Sequence, residues 1–274
     1  MAAGIHPAAI IEPGAEIGEG VSIGPYCHVG PEVKLERGVT LVSHVVIAGG
    51  TRIGSGSKVY PFASLGQPPQ DLKYRGEPAR LRVGRDATIR EHVTINIGTE
   101  GGGMETQVGD GCLIMAGAHI AHDCRIGNGV ILANQVTLAG HVVIEDEAVL
   151  GGLSAVHQFV RIGRGAMVGG MTGIEHDLIP FGLAVGERAR LAGLNLVGLR
   201  RRGASNSDIH RLRAAYRCLF EEEGALAERI DQLTALQGAD PWIAELLRFL
   251  AEPSDRAILQ PAATAPLAGL PGPV

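Results

Sequence analysis

The sequence predicts an all-β parallel β-helix followed by a small α-helical domain, and three observations lead to this prediction. Aliphatic residues recur at every sixth position over long stretches, a period that fits neither an α-helix nor a simple strand. A small or β-branched residue stands two positions before each aliphatic residue of the central stretch. After residue 186 the period of six stops, and apolar residues recur at helical spacing instead.

The period of six is strictest between residues 108 and 174. Each hexapeptide is expected to form one short strand and one corner, and three hexapeptides complete a triangular coil. The aliphatic side chains point inward and stack on those of adjacent coils, about 4.8 Å away. Residues eighteen positions apart are therefore expected to be neighbours. The aliphatic positions are Val108, Ile114, Ile120, Ile126, Leu132, Leu138, Ile144, Leu150, Val156, Ile162, Val168 and Ile174.

The same ladder begins at Ile5 and continues to Leu65, and it is then broken twice. Residues 66–82 contain a polar, Pro-rich sequence that cannot fill a coil core, and the Gly-rich residues 98–107 interrupt the ladder again. We therefore predict a β-helix over residues 1–186 with loop excursions at 66–82 and 98–107. Insertions in solenoids lie on one face, often the binding face, although surface loops also tolerate insertions without function.

Residues 187–255 are predicted to form the helical domain. Ser205 and Asp208 have the spacing of a capping box at the start of one helix. Asp240 followed by Pro241 suits the start of another, and a third helix is expected between the two. Residues 256–274 are predicted to be a disordered tail, which from Pro261 onward is rich in Pro, Ala and Gly without a period.

The composition argues against several classes of protein. The chain is 45% hydrophobic but only 4% aromatic, as expected for a narrow prism filled with aliphatic side chains. The net charge of −5 argues against general nucleic-acid binding, and no apolar run is long enough for a transmembrane helix. The N-terminus lacks a signal-peptide pattern, and the four cysteines form neither a disulfide framework nor a metal motif. The sequence therefore predicts a cytoplasmic protein.

Histidines cluster on the central ladder, although the core of a solenoid needs none. The coil length places His122 beside Gly140 and Asp123 beside His141, with His157 one coil further along. A neutral imidazole is the usual general base near pH 7, and a carboxylate can orient its ring. A glycine N–H can stabilise an oxyanion. Since no serine or exposed cysteine stands in a nucleophile context, the pattern favours acyl transfer by direct attack of a substrate hydroxyl.

Other interpretations of the histidine cluster stay open at this point. The residues could be solvated turn residues, or they could bind zinc as in a trimeric hydratase of the hexapeptide type. His119 and His122, with His141 or His157, would then supply three ligands at about 2.0–2.1 Å, which the spacing does not require. A structural or ice-binding solenoid would carry a flat threonine ladder, and the sequence has none.

A second cluster is basic. Eight arginines lie between residues 188 and 217, where Asp208 is the one acidic residue. Guanidinium groups suit the oxygens of a diphosphate, and their concentration also suits an acidic protein partner. A solvated helix face is the alternative, and residues 200–203 are the strongest candidates for a binding role.

Five segments connect the chain to a known enzyme family: residues 70–74, 118–124, 138–141, 156–159 and 198–203. Together with the ladder they make residues 1–260 resemble the acyl-[acyl-carrier-protein]–UDP-N-acetylglucosamine O-acyltransferases. The resemblance implies a left-handed β-helix and a cytoplasmic homotrimer with active sites between subunits. It also implies transfer of a 3-hydroxyacyl chain from acyl carrier protein to the 3-OH of UDP-N-acetylglucosamine, the first step of lipid A biosynthesis. No cofactor or metal is expected.

The resemblance also implies roles for individual residues. His122 matches the general base, Asp123 the residue that supports it, and Gly140 the oxyanion donor. Gly170 matches the position that measures acyl length, where glycine goes with longer chains. The other matches are substrate contacts: Gln70, Asp71, Lys73, His119 and His141 around the sugar, His157 and Gln158 near the acyl chain and nucleotide, Asn195 at the nucleotide, and Arg201 and Arg202 in the phosphate and carrier-protein region.

The chain also departs from the family pattern. Asn96 and Ile97 stand where His and Arg are usual, Val197 where an acidic residue is common, and Arg188 where a histidine near the acyl groove is common. These departures leave open the acyl length and an acceptor with a 3-amino group, which would give an amide. A related N-acyltransferase that acts on the 3-O-acylated sugar has an extra N-terminal domain, whereas this ladder begins at Ile5.

Overall fold

A computed structural model describes residues 4–237 and 240–262, and most of this chain is a stack of very short parallel strands. Most strands contain two residues, of which the second is the buried aliphatic residue of the ladder. The first half of the strands is β1 Gly4–Ile5, β2 Ile10–Ile11, β3 Glu16–Ile17, β4 Ser22–Ile23, β5 His28–Val29, β6 Lys34–Leu35, β7 Thr40–Leu41, β8 Val46–Ile47, β9 Gly50–Ile53, β10 Lys58–Val59, β11 Ser64–Gln67, β12 Arg80–Val83, β13 Thr88–Ile89 and β14 Thr94–Asn96. The second half is β15 Glu105–Val108, β16 Leu113–Ile114, β17 His119–Ile120, β18 Arg125–Ile126, β19 Ile131–Leu132, β20 Thr137–Leu138, β21 Val143–Ile144, β22 Val149–Leu150, β23 Ala155–Val156, β24 Arg161–Ile162, β25 Met167–Val168, β26 Gly173–Ile174, β27 Gly182–Val185 and β28 Arg190–Leu194.

The strands form the three faces of a prism because, up to β26, each strand belongs to a different sheet from the strand before it and every third strand returns to the same sheet. The sheets contain 11, 9 and 8 strands, and the strands of the ladder pair in parallel. Ile114 lies opposite Leu132, so the coil length of eighteen residues is as expected from the sequence. The aliphatic residues of the three sheets fill the interior, and the predicted fold class is confirmed.

Both loop excursions are shorter than the sequence predicts. Strand β11 extends to Gln67, and β12 begins at Arg80 with Leu81 only 1% exposed. Strand β15 begins at Glu105, after a single 3₁₀ turn at Glu100–Gly102. The predicted excursion 66–82 is therefore wrong at both ends, and 98–107 is wrong at its C-terminal end. The reason is strand pairing: Arg80–Val83 pairs with Gly50–Ile53 of the preceding coil and with Glu105–Val108 of the following coil.

The C-terminal domain begins with a strand rather than a helix. Strand β28 pairs antiparallel with β27 and closes one end of the prism. Four helices follow: α1 Leu196–Arg201, α2 Asn206–Phe220, α3 Leu226–Gln237 and α4 Pro241–Ala251. The predicted caps of α2 and α4 are present, and Ser205 and Asp208 form the capping box. The sequence analysis missed α1, which Asn195 caps.

The prediction of a disordered tail over 256–274 is wrong for its first residues. Ile258 pairs with Asp177, and Leu259 is 2% exposed. The Leu259 N–H donates to the Asp177 carbonyl at 2.8 Å, so the segment extends the top coil of the prism. Residues 263–274 of the predicted tail lie outside the described residues. Across 4–237 and 240–262, no helix combines the length and apolar character that a membrane crossing needs.

Candidate active site

The candidate catalytic residues lie at one corner of the prism. Asp123 and His141 occupy equivalent corner positions in adjacent coils, with φ values of 59° and 62°. The His141 N–H donates to the His122 carbonyl at 3.0 Å, which fixes the stacking of the two coils. Neighbouring residues on a strand would point to opposite sides. Because His122 and Asp123 sit in a corner instead, their side chains can meet.

His122 and Asp123 form a buried hydrogen-bonded pair. The His122 Nδ1 lies 2.8 Å from the Asp123 Oδ2, and the two residues are 7% and 4% exposed. Burial alone would raise the pKa of Asp123, but hydrogen bonds from His122 and Thr99 outweigh it and hold this pKa below the ordinary value. The ionised carboxylate keeps the imidazole proton on Nδ1, so Nε2 is free to act as a base.

Gly140 lies against the edge of the His122 ring that carries this free nitrogen. A Cβ atom added at Gly140 would stand 2.6 Å from Nε2 and 2.5 Å from Cε1. Glycine is thus the residue that lets the backbone approach the imidazole so closely. Among the described residues the Gly140 N–H donates to no acceptor, so it is available to an oxyanion that forms beside His122.

His141 and Asp71 complete the surroundings of His122. The His141 ring meets the His122 ring edge-on at 5.0 Å and stacks on Phe159 at 4.5 Å. Burial lowers the pKa of His141, although the neighbouring Asp123 opposes this. Asp71, from the first loop, places its Oδ2 4.0 Å from the His122 Nε2.

His119 and the first loop border the same corner. The His119 Nδ1 lies 2.7 Å from the Thr94 Oγ1, and burial, followed by the proximity of His122, lowers the pKa of His119. Lys73 donates its N–H to the Asp71 carboxylate at 2.9 Å, and its charge contributes to the low pKa of His141. Gln70 is exposed at the base of this loop. The structure therefore brings Asp71, Lys73, His119 and His141 together around His122.

The remaining predicted contacts lie elsewhere on the chain. His157 and Gln158 are exposed in the coil beyond His141, and Gly170 is exposed further along the prism. Asn195, Arg201 and Arg202 line an apolar groove between the prism and α1, together with Val149, Met167, Leu183 and Leu196. No residue of the His122 cluster lines this groove.

Two of the groove residues already have partners within the chain. Asn195 accepts a hydrogen bond from the Gly198 N–H at 2.9 Å and donates to the Gly165 carbonyl at 3.1 Å. Arg202 pairs with the carboxylate of Glu147 and donates to its carbonyl at 2.7 Å. Arg201 is exposed, so of the two arginines it is the one whose guanidinium is free for a phosphate.

The second loop and the strand β15 that follows it supply two residues that the sequence analysis missed. Thr99 donates to both Asp123 oxygens, from its N–H at 2.8 Å and from its hydroxyl at 2.6 Å. The Thr106 hydroxyl accepts the Asp123 N–H at 2.8 Å. The sequence contained one indication of these contacts, namely that the second loop directly precedes the coil that carries Asp123. The contacts depend on the backbone of the loop and on the threonine rotamers, which a repeat pattern does not encode.

Asn96, one of the departures from the family pattern, has a structural role. Its side-chain Nδ2 donates to the Pro68 carbonyl at 3.1 Å and approaches the Gln67 carbonyl at 3.3 Å. Asn96 is 5% exposed and thus holds the start of the first loop against the prism.

Within the described part of the chain, the one group of residues that could ligate a metal is His122, Asp123 and His141, whose donor atoms lie within 4.8 Å of one another. Zinc would draw each donor to about 2.0–2.2 Å. The Asp123 oxygens, however, already accept hydrogen bonds from Thr99 and His122. This arrangement suits proton transfer better than metal ligation.

Comparison with known proteins identifies the family. A profile described as Udp N-acetylglucosamine O-acyltransferase, domain 2, matches residues 177–259, and one for the bacterial transferase hexapeptide (six repeats) matches 14–49 and 105–140. The acyl-[acyl-carrier-protein]–UDP-N-acetylglucosamine O-acyltransferase of Paracoccus denitrificans is 55% identical over 203 residues, 74% of this chain and 77% of the relative. That of Agrobacterium fabrum is 46% identical over 263 residues, 95% and 96% of the two chains. The chain belongs to this family.

Solved structures of O-acyltransferases agree with this assignment. A crystal structure of a UDP-N-acetylglucosamine acyltransferase superimposes with a TM-score of 0.91 at 43% identity, covering 95% of this chain and 100% of the other. The UDP-N-acetylglucosamine O-acyltransferase of Moraxella catarrhalis gives a TM-score of 0.91 at 41% identity, covering 93% and 99%. The sequence-based identification of the family and of its left-handed β-helix is confirmed.

Proposed function

We propose that this chain transfers a 3-hydroxyacyl group from acyl carrier protein to the 3-OH of UDP-N-acetylglucosamine, the first step of lipid A biosynthesis. The observation that carries the proposal is the corner in which His122, Asp123 and Gly140 meet. A buried dyad presents an unprotonated imidazole nitrogen, and a free glycine N–H lies beside it. The names of the relatives supply the donor and the acceptor.

The geometry supports a direct attack without an acyl-enzyme. The His122 Nε2 removes the proton of the sugar hydroxyl as its oxygen attacks the thioester carbonyl of the donor. The carbonyl oxygen becomes an oxyanion, which the Gly140 N–H stabilises. When the intermediate collapses, the C–S bond breaks and the leaving sulfur takes the proton from His122. Asp123 keeps its charge throughout and stabilises the imidazolium in between.

We further propose that the active enzyme is a cytoplasmic homotrimer with sites between subunits. The support is the separation of functions on one chain: the predicted phosphate contacts Arg201 and Arg202 line a groove to which no residue of the His122 cluster contributes. A nucleotide sugar bound at the corner would need the groove of a neighbouring subunit for its diphosphate. A closed ring of three equivalent contacts would complete three such sites.

A mass-spectrometric transfer assay tests the proposal. UDP-N-acetylglucosamine and its 3-amino analogue are each offered with 3-hydroxyacyl carrier proteins of several lengths. We expect an acylated UDP-N-acetylglucosamine that base treatment cleaves, as an ester should be. A base-stable product from the 3-amino analogue alone would show the amide alternative instead.

Variants locate the base. His122→Ala is expected to abolish transfer and to unfold at about the wild-type temperature. His176→Ala is the matched control, because His176 is exposed three coils away in the same corner column and should keep full activity. Retained transfer in His122→Ala would remove His122 as the base. Activity that a chelator abolishes and zinc restores would favour the metal interpretation.

A further inference from the structure

The C-terminal segment reaches back to the predicted substrate side of the prism through one arginine. Arg256 precedes the residues that pair with Asp177, and these contacts fix its backbone on the top coil. Its side chain is half-buried and lies across the corner that carries His157 and Gln158. This segment belongs to the part of the chain for which the sequence predicts disorder.

Arg256 makes two hydrogen bonds at this corner. Its Nε donates to the Gln158 carbonyl at 2.9 Å, and its Nη2 lies 2.7 Å from the His157 Nδ1. A guanidinium has no acceptor and stays protonated in proteins. The His157 Nδ1 must therefore accept this bond and carry no proton. The longer approach of Nδ1 to the Gln158 carbonyl, at 3.4 Å, cannot then be a hydrogen bond from His157.

The contact sets the chemistry that His157 can offer. A neutral imidazole with an unprotonated Nδ1 carries its proton on Nε2. His157 thus presents a hydrogen-bond donor on the side away from Arg256. A donor of this kind seeks an oxygen acceptor. A nucleotide sugar offers many in its hydroxyl, carbonyl and phosphate groups, whereas a 3-hydroxyacyl chain offers only its carbonyl and its 3-hydroxyl.

We infer that Arg256 is a positioning residue, which holds His157 as the Nε2–H tautomer so that it donates a hydrogen bond to the acceptor nucleotide sugar. The inference rests on the proposed function. The distance to the reaction centre fits this role. His157 lies two coils beyond Ala121, the residue before His122, and two coils span about 10 Å at the usual strand spacing. That separation is within reach of a nucleotide sugar whose 3-OH meets His122.

The tautomer can be measured on the free protein without any substrate. Long-range ¹H–¹⁵N spectra of protein with ¹⁵N-labelled histidine distinguish protonated from unprotonated ring nitrogens, and His157→Gln assigns the signals. We expect wild-type His157 to show an unprotonated Nδ1 and a protonated Nε2 at pH 7. Arg256→Ala should give exchange between tautomers, and Arg256→Lys, which keeps a donor, should restore most of the wild-type pattern.

Kinetics test the consequence. Arg256→Ala should raise the KM for UDP-N-acetylglucosamine about tenfold, the equivalent of one lost hydrogen bond of about 1.4 kcal/mol. The KM for the acyl carrier protein and kcat should change less than about threefold. Arg248→Ala is the control, since Arg248 links α4 to Glu145 of the prism without touching His157. It should lower the melting temperature and leave both the tautomer and the KM unchanged.

The outcomes separate the two proposals. An unchanged His157 spectrum in Arg256→Ala, or a protonated Nδ1 in the wild type, overturns the assignment of Arg256 whatever the enzyme does. A changed tautomer with an unchanged KM overturns the inference, because the tautomer of His157 would then not serve the binding of the nucleotide sugar. A protein that shows the expected tautomers but no transfer contradicts the proposed function and leaves the Arg256–His157 contact intact.

Discussion

At the scale of single residues, the site depends on the protonation of a few buried groups. Asp123 is the clearest case, because three donors hold its carboxylate in the ionised state: the His122 ring and two groups of Thr99. Its charge selects the tautomer of His122 that can accept a proton. Replacing the charge with an isosteric amide therefore tests the tautomer without changing the shape.

Asp123→Asn is expected to lower kcat about 10²- to 10⁴-fold with little change in KM. The amide nitrogen would donate to the His122 Nδ1 and force the proton onto Nε2, where the base is needed. Steady-state kinetics and a thermal melt would check this. A variant with near-wild-type kcat would mean that Asp123 serves the fold rather than the reaction.

Two half-buried histidines, His119 and His141, predict how the stability of the protein depends on pH. The folded-state pKa values of His119 and His141 lie below the ordinary value of 6.5, mainly because of burial. The unfolded chain then binds more protons than the folded chain as pH falls below about 6.5, so the free energy of unfolding should decrease in this range. The loss should be complete below the folded-state pKa values.

A double variant isolates this contribution. His119→Gln with His141→Gln should flatten the decrease in melting temperature between pH 7.5 and 5.5, at a fixed protein concentration. His210→Gln is the control, because His210 is exposed on α2 and should leave the pH dependence as in the wild type. An equal slope in the double variant would show that other groups cause the acid sensitivity.

At the scale of elements, the second loop acts as a support for the catalytic carboxylate. A Cβ atom added at Gly102 would stand 1.9 Å from the Asp123 Cγ, whereas one added at Gly101 would meet nothing within 4 Å. The two glycines are adjacent in the same 3₁₀ turn. They form a matched pair for testing whether the loop positions the dyad.

Gly102→Ala is expected to displace Asp123 from His122 and to reduce kcat at least about tenfold, while Gly101→Ala should keep wild-type kinetics. The reason is steric, since the added methyl group cannot share the space of the carboxylate. Comparing kcat and melting temperature of the two variants checks this. Equal activity in both would show that the loop moves aside without disturbing the site.

The same elements show how far the sequence alone can lead. The period of six fixes the coil length, and the coil length by itself places His122 beside Gly140. The ends of the loops are different, since Leu81 becomes a core residue only because strands of neighbouring coils pair with it. The contacts of Thr99 and Arg256 depend on side chains that cross between coils, which no local pattern encodes.

At the scale of the whole molecule, α4 of the helical domain packs against an ion pair of the prism. Asp177 is fully buried and accepts from the Arg161 N–H at 2.8 Å and its Nε at 2.7 Å. The Arg161 guanidinium lies 4.3 Å from the centre of the Phe249 ring on α4 and 3.4 Å from Glu252. The backbone of Asp177 also pairs with the C-terminal segment. Three parts of the chain thus meet at the Asp177–Arg161 pair.

Asp177→Ala should lower the free energy of unfolding by about 1–3 kcal/mol, because it removes the buried carboxylate that accepts two hydrogen bonds from Arg161 and leaves Glu252 as its remaining partner. Asp255→Ala is the control, since Asp255 is exposed in the same segment and should change stability by no more than about 0.5 kcal/mol. Urea unfolding followed by circular dichroism and by the fluorescence of Trp242 on α4 gives both values.

The same experiment tests whether the prism and the helices unfold together. We expect the circular dichroism and fluorescence transitions to coincide in the wild type and to separate in Asp177→Ala, with α4 unfolding first. Coincident transitions at unchanged urea concentrations would show that the prism and the helices are joined by other contacts.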